Sequence, residues 1–270
     1  MYQYRAIFIS DVHLGTRGCQ AEALLGFLKH AEAETIYLVG DIIDGWRLRK
    51  SWYWPQSHNN LVQKLLRKAR KGTRVVLIPG NHDEFLRDYL ESQFGGIEIE
   101  DQILHTGKDG RRYLVIHGDQ FDAVVMHAKW LAFVGDWAYE AALFLNGKIN
   151  FMRRKLGLTY WSFSAWAKQR VKKAVSFISA FEETLVGEAR RQGAQGVICG
   201  HIHHAAIRDI DGITYLNCGD WVESSTALVE RVDGVFEIIE WTKTSAALIE
   251  ISTAAQPEAR AAKRSEWASV

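Results

Sequence analysis

Short apolar runs alternate with amphipathic segments along the first third of the chain. The runs RAIFIS, TIYLVG and RVVLIPG have the length and character of buried strands. Between them, the segments around 21–31 and 59–71 repeat apolar residues at helical spacing. This βαβαβ order predicts a layered α/β sheet.

The periodicity changes after Phe85. The short runs GIEIE, QILHTG and RRYLVIHGD predict a second sheet with hairpins, and a long helical pattern follows over residues 121–190. The chain then returns to strand patterns in QGVICGH, AIRDI, GITYLNCG, TALVERV and GVFEIIEW. Asp-Gly pairs at 211–212 and 233–234 are typical of hairpin turns between such strands.

The predicted domain organisation is one domain over residues 1–252, with a helical insertion over 121–190 and a disordered tail over 253–270. At 270 residues and 47% hydrophobic composition, the chain is long enough to bury a full core. The tail is rich in alanine and polar residues and has no periodicity, which is typical of disorder.

Composition narrows the functional class. A formal net charge of +1 excludes a globally basic nucleic-acid binder, although it leaves local patches open. Cys19, Cys199 and Cys218 form neither a CxxC pair nor an even-numbered framework, so no disulfide scaffold or structural zinc site is indicated. With no signal-peptide pattern and no run of 18 apolar residues, we expect a cytoplasmic protein with at most peripheral contact with a membrane. No obligate protein partner is evident.

Polar residues follow five of the predicted strands, where ligands gather in α/β sheets. The five pieces are Asp11-Val12-His13, Gly40-Asp41-Ile42-Ile43-Asp44, Gly80-Asn81-His82-Asp83, His117-Gly118-Asp119 and Gly200-His201-Ile202-His203. Together they offer imidazole, carboxylate and amide ligands, a mixture that suits manganese, iron or zinc. Alone, an Asp at a strand end is more often a turn or cap residue, and a single His-x-His pair is as often a surface feature. Five such pieces together favour a metal site.

The order D-x-H, G-D-x-x-D, G-N-H-D, H-G and G-H-x-H resembles the calcineurin-like metallophosphoesterase superfamily. The resemblance spans residues 11–203 and implies a four-layer αββα sandwich with a helical insertion as a lid. It implies two divalent ions, with manganese favoured over iron and zinc. By the resemblance, Asp11, His13 and His203 hold one ion, Asn81, His117 and His201 hold the other, and Asp41 bridges both.

Two neighbouring divalent ions can activate water and stabilise the attacking and leaving oxygens of an in-line displacement. No nucleophilic side chain is then required. We interpret His82 as the residue that contacts the phosphate and protonates or stabilises the leaving oxygen. Asp44 is interpreted as a helix cap or ligand-orienting residue, with capping favoured. Asp83 and Asp119 are candidates for fixing imidazole orientation, and Asp83 is alternatively a helix N-cap.

The segment 146–173 carries a local excess of positive charge. It contains eight Lys and Arg residues and no Asp or Glu, with large apolar residues between them. Arg153, Arg154, Lys155, Trp161 and Trp166 are the candidate substrate-binding residues. This composition suits an anionic, amphipathic ligand or an anionic membrane surface. The alternative is a helical hairpin whose aromatic residues pack on the core.

A basic, apolar helical insertion at this point is similar to that of the UDP-2,3-diacylglucosamine hydrolases of lipid A synthesis. Those enzymes release UMP and lipid X, a lipid-linked sugar phosphate, by cleaving a pyrophosphate. The resemblance implies a nucleotide-linked glycolipid substrate, with Arg47, Arg49 and Lys50 as further candidate phosphate contacts. His82 departs from that branch, which carries Arg there. Two alternatives therefore stay open: a phosphodiesterase acting on nucleotides or nucleic acid, and a non-catalytic scaffold, which is disfavoured because no predicted ligand is missing.

Overall fold

The computed structural model describes residues 2–121 and 163–244, and the side chains of residues 163–176 are not described. The described α-helices of six residues or more are α1 (Ala21–His30), α2 (Gly45–Lys50), α3 (Gln56–Arg70) and α4 (Phe163–Arg191). The described strands are β1 (Tyr2–Ile9), β2 (Ala31–Val39), β3 (Arg74–Ile78), β4 (Ser92–Phe94), β5 (Ile97–Ile99), β6 (Ile103–Thr106), β7 (Arg112–Val115), β8 (Gly196–Cys199), β9 (Ala206–Ile210), β10 (Ile213–Asn217), β11 (Thr226–Arg231) and β12 (Phe236–Glu240). Two 3-10 helices, Glu84–Tyr89 and Asp119–Phe121, follow β3 and β7.

Two sheets form the centre of the fold. The first has the order β12-β11-β1-β2-β3-β5-β4, in which β1, β2, β3 and β5 run parallel. The second has the order β6-β7-β8-β10-β9, in which β7, β8 and β10 run parallel. Hairpins at the predicted Asp-Gly pairs join β9 to β10 and β11 to β12.

Apolar side chains alternate between the two faces of the strands and so build three cores. On β1, Ile7 and Ile9 pack outward against α1 and α3, whereas Phe8 packs inward between the sheets. On the far face of the second sheet, Phe181 and Leu185 of α4 complete a third core. The result is the predicted αββα order of layers.

The position of GIEIE differs from the prediction. This segment forms β5, which belongs to the first sheet and not the second, and it pairs in parallel with β3 through Val75, Val76 and Leu77. The reason is burial, because Ile97 and Ile99 extend the same outer core that contains Leu77. Strands β6 and β7, from QILHTG and RRYLVIHGD, do form the second sheet.

Strand direction positions the site. The carboxyl ends of β1, β2 and β3 lie side by side in the first sheet, and those of β7 and β8 lie side by side in the second. All five polar pieces of the sequence follow these ends directly. Within the described ranges, no helix is both long and apolar enough to cross a membrane.

Candidate metal centre

The first group of side chains comprises Asp11, His13 and His203. Their ligand atoms all lie within 4.8 Å of one another. Nε2 of His203 is 3.1 Å from Oδ1 of Asp11, and Nε2 of His13 is 4.0 Å from the same oxygen. The loops after β1 and β8 supply these residues, so both sheets contribute to the group.

The second group comprises Asp41, His117 and His201, again with ligand atoms within 4.8 Å of one another. Nε2 of His117 lies 3.6 Å from Oδ1 of Asp41. The other ring nitrogen of His117, Nδ1, is 2.9 Å from the carbonyl oxygen of Val39 and donates to it. This hydrogen bond fixes the tautomer and aims Nε2 into the group, as in many metal-binding histidines.

Asp41 lies between the two groups and presents a different oxygen to each. Its Oδ1 is 3.6 Å from His117 and its Oδ2 is 3.8 Å from His13. Oδ1 also accepts a hydrogen bond of 2.8 Å from the backbone N–H of His82. This is the placement that a bridging carboxylate requires, and the bridging role itself stays a prediction.

His82 and Asp44 lie at the rim of the same centre. Ligand atoms of His13, Asp41 and His82 form a third group within 4.8 Å, although His82 is interpreted from sequence as a phosphate contact. Nδ1 of His82 is 3.1 Å from Oδ2 of Asp44, and Nδ1 of His13 is 3.4 Å from that oxygen. Oδ1 of Asp44 accepts the N–H of Arg47 at 2.8 Å and caps α2. Asp44 therefore combines the capping and orienting roles considered for it.

Divalent cations fit this donor set. Among the described residues, the buried side-chain atoms without a hydrogen-bond partner include Asp11 Oδ1, His13 Nε2, Asn81 Oδ1 and His117 Nε2. Buried polar atoms are normally satisfied, and four such atoms from three loops at one centre are the expected signature of a cation site. Imidazole nitrogens with carboxylate and amide oxygens suit borderline divalent ions, so the chemistry of the ligands also fits.

Within the cluster, charged neighbours shift the pKa values in the direction opposite to the effect of burial. Burial alone would raise the pKa of Asp11, but the nearby imidazole of His203 lowers it to about 2. Burial would likewise raise the pKa of Asp41, and His117 holds it well below its ordinary value. Burial would lower the pKa of His117, but the charge of Asp41 raises it to about 10. Cation binding at this group is therefore expected to release a proton from His117.

The backbone is strained where the predicted ligands lie. Asp11, His13, Asp41, His201 and His203 all have φ between 52° and 72°, in the left-handed region that residues with a Cβ rarely adopt. Such strain persists only where the surrounding structure enforces it, and it concentrates at functional sites. The loops are therefore shaped to aim side chains at a common point.

Two glycines allow the loops to approach one another. A Cβ on Gly40 would overlap with the imidazole ring of His117, and a Cβ on Gly80 would overlap with Oδ1 of Asp41. Gly40 also has a φ of +77°. Only glycine permits this packing of backbone against predicted ligands.

Asp83 has a role that sequence reasoning missed. It precedes the 3-10 helix Glu84–Tyr89 but makes no side-chain capping bond, and its carboxylate accepts backbone N–H groups. The donors are Asp41 at 3.2 Å, Ile42 at 2.8 Å, Ile43 at 3.2 Å and Gly80 at 2.6 Å. Burial and the charge of Asp41 raise the pKa of Asp83, while backbone hydrogen bonds oppose that shift. Asp83 thus ties the loop after β2 to the loop after β3.

A sixth loop, after β10, supports the centre and was also missed. Asn217 donates from Nδ2 to the carbonyl oxygen of Gly200 at 2.8 Å and accepts the N–H of Gly219. The backbone N–H of Trp221 donates to the carbonyl oxygen of Asp11 at 3.0 Å. The sequence feature that indicates this loop is a sixth polar stretch directly after an apolar run, Asn217-Cys218-Gly219-Asp220. Cys199 at the end of β8 and Cys218 within this loop are both buried.

The predicted substrate-binding residues mostly lie outside the described part of the chain. This holds for Arg153, Arg154, Lys155 and Trp161. Trp166 falls within α4, where the backbone is described but its side chain is not. By contrast, Arg47, Arg49 and Lys50 lie on α2 directly after Asp44, and all three are exposed.

A four-layer fold with imidazole, carboxylate and amide groups on converging loops defines a metal-dependent hydrolase. The model of the calcineurin-like phosphoesterase family matches residues 4–205. The chain belongs to this family. The enzyme is therefore a metal-dependent phosphoesterase, and its family implies divalent metal ions as cofactors.

Curated relatives cover most of the chain. The UDP-2,3-diacylglucosamine hydrolase of Aeromonas salmonicida is 25% identical over 83% of this chain and 88% of its own length. That of Neisseria meningitidis serogroup B is 26% identical over 85% of this chain and 94% of its own length. Among solved structures, the E. coli phosphoesterase Yfce aligns over 87% of this chain and 98% of its own, with 13% identity and a TM-score of 0.42.

Proposed function

We propose that the chain hydrolyses the pyrophosphate of UDP-2,3-diacylglucosamine, or of a closely similar nucleotide-linked glycolipid, to UMP and lipid X. The observation that carries the proposal is the meeting of two candidate metal groups on either side of Asp41. The substrate is supported by the relatives' names and their coverage of both chains. An enzyme that acts on this substrate takes part in lipid A synthesis.

The proposed ligand set follows the two groups. Asp11, His13 and His203 hold one ion, with Asp41 shared. The second set consists of Asn81, His117 and His201, again with Asp41. When bound, such a pair of ions supplies Lewis acidity and a water of lowered pKa. Manganese is the ion that we favour, with iron and zinc as alternatives.

The protein's own groups then bind and orient the substrate. Exposed cations on α2, Arg47 and Arg49, begin three residues after Asp44 and are available to anionic phosphate oxygens. Hydrolysis adds a water oxygen to one phosphorus and breaks its bond to the bridging oxygen, which leaves on the other phosphate. His82 is the proposed donor of the proton to that leaving oxygen, because Asp44 contacts its Nδ1 and so orients the ring.

The insertion is proposed as the acyl-binding and membrane-facing part of the enzyme. Residues 146–173 act as a lid in this proposal, and Arg153, Arg154 and Lys155 contact anionic headgroups. Cations near such a surface each add about 1 kcal/mol, an attraction that salt screens. Trp161 and Trp166 are proposed to enter the interface. The enzyme would then act in the cytoplasm with peripheral contact at the inner membrane.

A second candidate function has one observation in its favour. His82, which contacts Asp44 at the centre, is the ordinary superfamily residue at a position where the lipid A branch carries Arg. An enzyme with this residue could act on other phosphodiesters, including nucleotides. The two candidates differ in whether acyl chains on the substrate raise turnover.

The test compares three substrates at equal concentration. UDP-2,3-diacylglucosamine, UDP-N-acetylglucosamine and bis-p-nitrophenyl phosphate are incubated with the manganese-loaded enzyme, and UMP or nitrophenol release is measured. The proposal predicts that kcat/KM for the diacylated substrate exceeds that for the unacylated sugar nucleotide by at least about 100-fold, or about 2.7 kcal/mol. Equal values for the two, or hydrolysis of bis-p-nitrophenyl phosphate alone, would favour the second candidate.

The insertion is tested separately. Changing Arg153, Arg154 and Lys155 together to Ser is expected to reduce sedimentation with anionic vesicles and to slow hydrolysis of the diacylated substrate. Hydrolysis of bis-p-nitrophenyl phosphate is expected to stay near the wild-type rate. Equal loss of both activities, or no vesicle binding by the wild type at low salt, would remove the support for a membrane-facing lid.

A further inference from the structure

Arg87 joins the two sheets beside the metal centre. It lies on the 3-10 helix Glu84–Tyr89, which follows the loop that carries Asn81. Nη2 of Arg87 donates to both oxygens of Asp119, at 2.9 and 2.8 Å, and to the carbonyl oxygen of Pro79 at 3.2 Å. Nε of the same side chain is 3.6 Å from Asp101.

The partners of Arg87 flank two predicted ligands. Pro79 lies two residues before Asn81, at the end of β3 in the first sheet. Asp119 lies two residues after His117, at the end of β7 in the second sheet. The guanidinium of Arg87 therefore spans the gap between the two loops that supply the second proposed ion.

Burial makes this contact stronger than a surface ion pair. The Asp119 side chain is 6% exposed and that of Arg87 is 31% exposed. A charge-assisted hydrogen bond in such a setting is less screened than one at the surface. Asp119 therefore holds Arg87, and the imidazole-orienting role suggested for it from sequence stays a prediction.

We propose that Arg87 is a positioning residue that fixes Asn81 relative to His117 and thereby sets the affinity of one of the two metal sites. The inference rests on the proposed ligand set and extends it to a residue outside all five motifs. Arg87 does not touch the reacting atoms and acts through Pro79 and Asp119. Groups that orient metal ligands in this way typically change metal affinity by about 10–100-fold when they are removed.

The experiment measures metal binding and not turnover. Metal-free wild type, Arg87→Ala, Asp119→Asn and the double variant are titrated with Co²⁺, and binding is followed by visible absorption and by elemental analysis after dialysis. In Arg87→Ala, one binding step is expected to weaken by about 10–100-fold, with an altered absorption band, while the other stays unchanged. In Asp119→Asn the same step is expected to weaken.

The double variant and a matched control separate positioning from general destabilisation. Because Arg87 and Asp119 act as one pair, the double variant is expected to be no weaker in Co²⁺ binding than Arg87→Ala alone. Arg74→Ala is the control, since Arg74 also pairs with a carboxylate, that of Glu98, but at an exposed position on β3. Arg74→Ala is expected to bind both ions as the wild type does.

Three results would overturn the inference. They are wild-type affinity and absorption in Arg87→Ala, additive losses in the double variant, or equal weakening in Arg74→Ala. If Arg87→Ala does not fold, Arg87→Lys and Asp119→Asn carry the test, and Arg87→Lys is expected to retain intermediate affinity because one ammonium replaces the planar fork. Since no lipid substrate is used, this test can fail while the proposed substrate stands, and the reverse also holds.

Discussion

Replacing Asp83 by Asn is expected to destabilise the protein severely, although the two side chains have nearly the same shape. The carboxylate of Asp83 is fully buried and accepts four backbone N–H groups. Oδ1 receives those of Asp41 and Gly80, and Oδ2 receives those of Ile42 and Ile43. An Asn side chain has one oxygen and one NH₂ group, so in either orientation two backbone N–H groups face another donor.

The magnitude follows from those two donors. Each buried N–H left without an acceptor costs about 1–3 kcal/mol, which gives about 2–6 kcal/mol for Asp83→Asn. A domain is typically stable by only about 5–15 kcal/mol, so the variant is expected to be marginally folded. The lost hydrogen bonds belong to the loops after β2 and β3. The metal centre is therefore expected to become less ordered as well.

The assay is urea unfolding of the metal-free protein at neutral pH, so that metal loss does not contribute. The control is Asp209→Asn, because Asp209 is exposed and accepts a single N–H, that of Gly212, which the Asn oxygen can still accept. The control is expected to change the free energy of unfolding by less than about 0.5 kcal/mol. A similarly small change in Asp83→Asn would refute the role assigned to this carboxylate.

Three further predictions concern other parts of the fold and site. Glu230→Gln is expected to cost about 1–3 kcal/mol at neutral pH, because the buried carboxylate is bonded to His105 at 2.9 Å and to Arg5 at 2.7 Å. Burial would raise the pKa of Glu230, but hydrogen bonds from His105 and the backbone N–H of Lys108 lower it. Its contribution is therefore full above the unfolded pKa of about 4.3 and is lost as pH falls through the lower folded pKa, so an unfolding difference that does not shrink with acidification below about pH 4.3 would contradict this. His82→Ala is expected to keep its metals in elemental analysis while kcat falls about 10²–10⁴-fold, and lost metal would mean that His82 is a ligand. Gly40→Ala is expected to lose metal because its Cβ overlaps with the ring of His117, and full metal content would contradict that packing.

The convergence of the site could be predicted from sequence because it depends on strand direction alone. Each motif follows an apolar run, and the carboxyl ends of parallel strands meet at one edge. Asp11, Asp41 and His117 lie close together for this reason, although up to 106 residues separate them in the chain. The layered α/β sheet followed from the alternation of strands and helices, whereas the four-layer order was implied by the resemblance to the calcineurin-like superfamily.

Other features depend on register and packing that local patterns do not encode. GIEIE reads as a strand, but which sheet it joins depends on Ile97 and Ile99 matching the outer core beside β3. From sequence, Asp83 is a candidate to orient an imidazole ring or to cap a helix, but three of its four backbone donors lie 40–42 residues away, in the loop after β2. Arg87 belongs to no sequence motif, because its proposed role depends on contacts that form only where the two sheets meet.

The most direct test of the account is the metal content of the wild type and of Asp41→Ala, measured by elemental analysis after equilibration with excess manganese and removal of unbound metal. The wild type is expected to retain about two ions per chain and to hydrolyse bis-p-nitrophenyl phosphate, because one carboxylate serves both groups. Asp41→Ala is expected to retain at most about one ion and to show no hydrolysis above the metal-only background. Full metal content together with wild-type turnover in Asp41→Ala would contradict the shared two-metal centre.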